Sequence, residues 1–193
     1  MIEMSVAGLA LDISNRTPII LLRDPSGRRQ VPIGIDHAQA HNIMAGIQPS
    51  TPHRPLSHDL MMSLLEAGKL NLDRIIIHSI EKNSFQAVLK LRLIAPEKGT
   101  SSNNSSSILD IDARPSDAIA LAVRSKCSIW MFENVVAEAS IPVDADADAQ
   151  DQVEFKRFID QVSPAALIRH LKNRRSKNEG TIDFPDSKAE PEE

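Results

Sequence analysis

Apolar positions in the first part of the chain fall in short runs at strand spacing, and a turn signal separates each run from the next. Residues 2–11 and 17–23 read as two strands, the second built on Ile19, Ile20, Leu21 and Leu22. Asp24-Pro25-Ser26-Gly27 has Pro second and Gly fourth, a turn that returns residues 28–35 as the third strand of an antiparallel meander. The period then lengthens. Ala40, Ile43, Met44 and Ile47 recur on one helical face, with Asp36 as N-cap. Pro49 and Pro52 make residues 48–54 a loop, after which Ser57 caps a second helix, residues 58–67, that Gly68 ends. Its Leu60, Met61, Leu64 and Leu65 read as a stripe facing the core. Residues 70–80 and 85–94 form a long hairpin: Ile75-Ile76-Ile77 is a fully buried run, whereas Phe85, Ala87, Leu89, Leu91 and Leu93 alternate with Gln86, Lys90 and Arg92.

Chemistry concentrates in residues 108–123. A short strand, Ile108 to Ala113, puts Asp110 and Asp112 on one face and Ile111 on the other. Arg114 follows, then Pro115, whose fixed φ suits a first helical turn, and Ser116 or Asp117, which can accept a bond from a free amide there. Ala118 to Val123 are apolar all round, as in a helix buried on nearly every side. Ser128 to Phe132 reads as an apolar strand, so the strand–helix–strand unit from Ile108 to Phe132 allows a parallel pairing. Residues 133–139 read as a short helix.

The remaining stretches carry less. Residues 95–107, rich in Ser and Asn, read as a mobile loop. Asp144, Asp146 and Asp148 have the spacing that opens a calcium loop, but Ala149 stands at its sixth position and Phe155 at its twelfth, so the segment reads as an acidic linker. Residues 152–171 return to helical spacing with a break at Ser163-Pro164, and residues 173–193, basic and then acidic, read as a disordered tail. The domain organisation expected is a core over 1–140, an acidic linker with C-terminal helices packing on that core over 141–172, and the tail.

Asp112-Ala113-Arg114-Pro115-Ser116-Asp117-Ala118-Ile119-Ala120-Leu121-Ala122, with Leu21-Leu22-Arg23, Val31-Pro32-Ile33-Gly34-Ile35, Arg54-Pro55-Leu56-Ser57-His58-Asp59-Leu60 and Val162-Ser163-Pro164, resembles the bifunctional nuclease domain family. The likeness covers roughly three-quarters of the chain, in order, and the loop at 95–107 departs from the tighter turn the family leads one to expect. It implies a compact α+β domain, mostly antiparallel or mixed sheet with packed helices, that self-associates and hydrolyses RNA and DNA. It brings no catalytic set that can be carried over.

Composition narrows the ways such a protein could touch nucleic acid. Aromatics are 3% of 193 residues, with no Tyr, so a row of base-stacking platforms is not available. The net charge of -4 argues against coating nucleic acid by bulk electrostatics and leaves a local patch as the means of contact. Cys127 is the only cysteine and no apolar run approaches a membrane span, which point to a cytoplasmic protein.

Read as an enzyme, the pole around Asp110, Asp112, Arg114 and Asp117 is a phosphodiesterase site. Asp110 and Asp112 would hold a divalent metal such as Mg or Mn, Arg114 would fork onto the phosphate, and His58, disfavoured as a cation by the dipole of its helix, would move the proton. The structural reading of the same residues is that Arg114 pairs with Asp112 or Asp117 to hold the strand-to-helix corner while Ser116 caps the helix. A combined arrangement has Ser116 and Asp117 holding the helix entrance and Arg114 facing a cleft near His58. His37 and His41, four apart, share a helical face but have Gln39 and no Glu between them, unlike the zinc-protease motif, so a solvated or subunit-facing pair is the reading preferred. The alternative for the whole chain is a non-catalytic binding or regulatory module that works as a homo-oligomer.

Overall fold

The computed structural model describes residues 1–12, 16–48, 54–94 and 108–143, with Val153, Phe155 and Arg157, which are helical. The expected loop at 95–107, acidic linker, helical break at Ser163-Pro164 and tail lie outside the described residues. The chain divides into two units, Met1–Phe155 and Lys156–Glu193, and the fold is that of the first.

The meander forms as β1 (Ile2–Leu11), β2 (Pro18–Arg23) and β3 (Arg29–Gly34), paired antiparallel in sequence order. Its β2–β3 turn closes as the sequence predicts: the Gly27 amide donates to the Asp24 carbonyl at 3.0 Å, and Gly27 takes φ 69°, where a side chain would be strained. Burial alone would raise the Asp24 carboxyl. The Ser26 hydroxyl and the Arg29 amide and guanidinium outweigh that and hold it below its ordinary range. Helix α1 (His37–Ile47) begins at Asp36, whose carboxylate accepts from the Gln39 amide while Gln39 Oε1 accepts from the Asp36 amide, each at 2.8 Å. Gln39, which lies between the two histidines, is thus a capping residue.

Helix α2 (Ser57–Ala67) departs from the sequence reading in two ways. Ser57 is its first helical residue rather than its cap; Leu56 occupies the cap position, and Asp59 reaches back to accept the Leu56 amide at 2.8 Å. The second departure is the face it buries. Three of the four expected core positions are turned outward, with Leu60 57%, Met61 41% and Leu64 62% exposed, and only Leu65 of that stripe joins His58 and Met62 on the inward side. Both stripes share the helical period, so the pattern alone could not choose between them, and the partners α3 and β4 do.

Strands β4 (Leu70–Glu81) and β5 (Ser84–Leu93) make the hairpin, joined by Lys82 and Asn83, both at positive φ as a two-residue hairpin turn requires. Strand β6 (Ile108–Ala113) adds antiparallel to β5, and α3 (Pro115–Ser125) follows with Pro115 to Ala122 almost wholly buried. Strand β7 (Ser128–Met131) does pair in parallel, but with β4 rather than with β6. The crossover therefore skips two strands, the β4–β5 hairpin lying between β6 and β7. Helix α4 (Glu133–Ala139) and the short β8 (Ile141–Pro142) complete the unit. One mixed sheet results, in the order β6-β5-β4-β7-β1-β2-β3-β8, with α3 packed against α1, α2 and the strands β4 and β5. The architecture is α+β. Among the described residues no helix is long and apolar enough to cross a membrane.

Candidate functional site

Alternation down β6 leads directly into the site. Residues opposite one another in an antiparallel pair point to the same side, so Leu109, Ile111 and Ala113 share the side of Leu91, Leu89 and Ala87, while Asp110 and Asp112 share that of Lys90 and Val88. Lys90 Nζ closes on Asp110 Oδ2, whereas Asp112 stays exposed, with no side-chain hydrogen bond among the described residues. The chain then turns into α3 at Arg114, which sits at the N-cap position without capping through its side chain. Neither Ser116 nor Asp117 supplies a cap: Pro115, at the first helical position, has no amide to satisfy, and the Asp117 carboxylate is committed elsewhere.

That commitment organises the site. Arg114 Nε donates to Asp117 Oδ2 at 2.8 Å, and Asp117 Oδ1 lies 3.2 Å from His58 Nε2, the geometry of an imidazole N–H donating to the carboxylate. The hydrogen bond and charge of Asp117, with Asp36 further off, raise the Arg114 pKa above its ordinary value. The two ends differ in access. The Arg114 side chain is 68% exposed, and its terminal amino groups have no partner among the described residues, whereas His58 is 4% exposed and its Nδ1 is buried without one. A guanidinium aimed by one carboxylate and open at its fork suits a phosphate oxygen pair.

His58 is held there by residues the sequence reading did not single out. Asp59 Oδ1 accepts from Arg124 Nε at 2.7 Å, and Arg124 Nη1 donates to the carbonyls of Asn42 and Ala120 at 2.8 and 2.9 Å. One buried arginine near the end of α3 therefore ties α1 and the first turn of α2 to α3, two turns from Asp117. The Arg124 hydrogen bond, then the Leu56 amide, lower the Asp59 pKa below its ordinary value of 3.8. An Arg in the last turn of a helix reads as a dipole partner, so nothing local pointed to this role.

Beside Arg114 a cavity of about 440 Å³ opens between the end of β3, the β4–β5 turn and the start of α3, lined among others by Gly34, Gln39, Asn83, Phe85, Arg114 and Ser116. His58, Asp110, Asp112 and Asp117 do not line it. Of the expected metal pair, Asp110 is taken up by Lys90 and Asp112 is open, and among the described residues no three His, Cys, Asp or Glu side chains come together.

The model of the bifunctional nuclease domain matches residues 20–144, which takes in β2 to α4 and every one of these side chains. The chain belongs to this family. Two proteins of Mycobacterium tuberculosis, from strains CDC 1551 / Oshkosh and ATCC 25618 / H37Rv and both named only as uncharacterized, are each 34% identical over 170 residues, covering 84% of this chain and 95% of theirs. The bifunctional nuclease domain thus accounts for the unit that carries Arg114, Asp117 and His58, and the family's description suggests action on or binding of nucleic acid.

Proposed function

We propose that this bifunctional nuclease domain protein hydrolyses phosphodiester bonds in RNA, DNA or both at the Arg114 pole, in the reducing compartment that a single cysteine suits. The observation that carries the reading is the line from exposed Arg114 through Asp117 to buried His58. Arg114 would place its open amino groups on the phosphoryl oxygens and offset the charge that builds there as water attacks phosphorus. Asp117 is the group that can take the proton from that water, as the bond from phosphorus to the leaving oxygen breaks and that oxygen takes a proton from solvent. His58, out of reach of solvent, is then a positioning residue that fixes the Asp117 carboxylate. Asp112 is the open carboxylate available to share a Mg or Mn ion with substrate oxygens, Asp110 being paired with Lys90.

The test is cleavage of labelled RNA and DNA by the purified protein with Mg, with Mn and with EDTA, beside Arg114→Ala and Asp117→Asn. The reading expects cleavage by the parent and its loss in both variants. Cleavage at parental rate by both folded variants would remove the site.

A second reading, a homodimer or larger assembly that works as a binding or regulatory module, is favoured by the outward apolar face of α2. The open edge of β6 suits it less. Pairing two copies of β6 antiparallel brings Asp110 or Asp112 of one chain opposite a carboxylate or an Ile of the other, an arrangement that disfavours sheet continuation. The helix face would therefore carry the association, with a second copy as its occupant.

A further inference from the structure

The cavity beside Arg114 has a chemistry that the hydrolytic reading leaves unused. Its volume of about 440 Å³ lies in the range of small-molecule sites and is far too small for a duplex. Among the described residues, Arg114 is the one cation that lines it and Phe85 the one aromatic. Phe85 starts the side of β5 that continues through Ala87 and Leu89, so the ring stands at the edge of the buried face, half-exposed, where the β4–β5 turn ends. Ser116 lines the cavity too, only 5% exposed and with no hydroxyl partner among the described residues, in the first turn of α3, where free amides favour an anion. Asn83 and Gln39 add amide groups. Gln39 has committed its oxygen to the Asp36 amide and keeps its NH₂ to donate.

We infer that this cavity holds one unstacked nucleotide of single-stranded nucleic acid, its base on Phe85 and its adjoining phosphate between Arg114 and Ser116. The inference rests on the hydrolytic reading for the identity of the bond at Arg114, and it deepens that reading by naming the form of the substrate. A single aromatic takes a single base, which reconciles a contact to nucleic acid with a chain so poor in aromatic residues. A single cation takes a single phosphate, so binding should weaken with salt at a logarithmic slope of about -0.7, shallow beside that of proteins that grip several phosphates. An amide-lined rim reads base edges that a duplex would keep paired.

The experiment measures binding of the full chain to three labelled probes with phosphorothioate linkages, so that affinity is read apart from turnover: a short single strand, the same strand abasic at every position, and the duplex of the same sequence. Expected is a preference of about tenfold or more for the single strand over both others, lost in Phe85→Leu and retained in Phe85→Trp, which keeps a stacking face. Arg114→Ala should weaken all three probes. The abasic comparison uses the parent protein alone and so stands even if Phe85→Leu does not fold. Equal binding of abasic and normal strands, or of duplex and single strand, would overturn the inference, as would no binding at all. Base-dependent binding with no cleavage in any metal would leave the nucleotide site standing and remove the hydrolytic reading. Cleavage that depends on Arg114 but treats duplex and single strand alike would do the reverse.

Discussion

Asp59 and Arg124 test how His58 is kept in place. Removing the guanidinium with Arg124→Ala leaves Asp59 without its partner and takes the side-chain donor from two helical carbonyls that tie α1 and α3 together, and should lower stability by roughly 2–5 kcal/mol in urea unfolding while weakening cleavage through displacement of α2. The pair also sets a pH dependence. The folded pKa of Asp59 is depressed, so its contribution is fully present above the unfolded value near 3.8 and is lost as pH falls through the folded value. Stability should therefore decline below about pH 4, with Asp24 adding to the decline, and Asp59→Asn should flatten that acid limb. An acid limb identical in parent and Asp59→Asn would contradict this. Arg114, Asp117 and His58 were legible from sequence as candidates, because a charged cluster at the mouth of an apolar helix is visible in a linear chain. The Arg114–Asp117 pair was among the readings the sequence offered, whereas the contact joining Asp117 to His58 was not legible, since it spans 59 residues; Ser116 was read only as a helix cap, and Arg124 looked like an ordinary helix position.

Helix α3 shows how close the packing around the site is. A Cβ at Gly46 of α1 would lie 2.6 Å from Val123 Cγ2 and 2.8 Å from Arg124 Nη1. Gly46→Ala gains about 1 kcal/mol of helix propensity but meets an overpacking penalty of roughly 1–3 kcal/mol, so a net loss is expected, with the Arg124 contacts disturbed first. Calorimetry giving a variant more stable than the parent would show that the helices part without strain. The elements themselves were largely legible: strand spacing, the Asp24 to Gly27 turn, the Asp36 cap and the Pro115 start each act within a few residues, and each is found where it was expected. Helix α2 was located but turned about its axis. Its apolar side is wide enough for two stripes, and which one is buried depends on α3 and β4.

At the scale of the molecule, the order of the sheet was the part the sequence held least. An antiparallel meander and a hairpin follow from short connections, but β7 finds its parallel partner in β4 across more than 50 residues, and no local signal prefers β4 over β6. The apolar side of α2 gives the whole-molecule prediction. Light scattering should report a species above the 21.2 kDa of one chain at micromolar concentration, and Leu60→Ser with Leu64→Ser should shift it to that mass with little change in stability, because both side chains are more than half exposed. A monomeric parent would remove the second copy from this face. Deleting 173–193 should leave the melting temperature within a few degrees, since that segment carries Ile182 and Phe184 as its only large apolar residues.

The account turns on whether Arg114 is a substrate-facing group or part of the scaffold, and thermal stability and cleavage measured together on Arg114→Ala separate the two. Because its side chain is two-thirds exposed and bonds only to Asp117 among the described residues, the variant should melt within about 2 °C of the parent while cleavage of RNA and DNA is abolished. A folded Arg114→Ala that cleaves at the parental rate, or one whose activity is lost only because it unfolds, would contradict it.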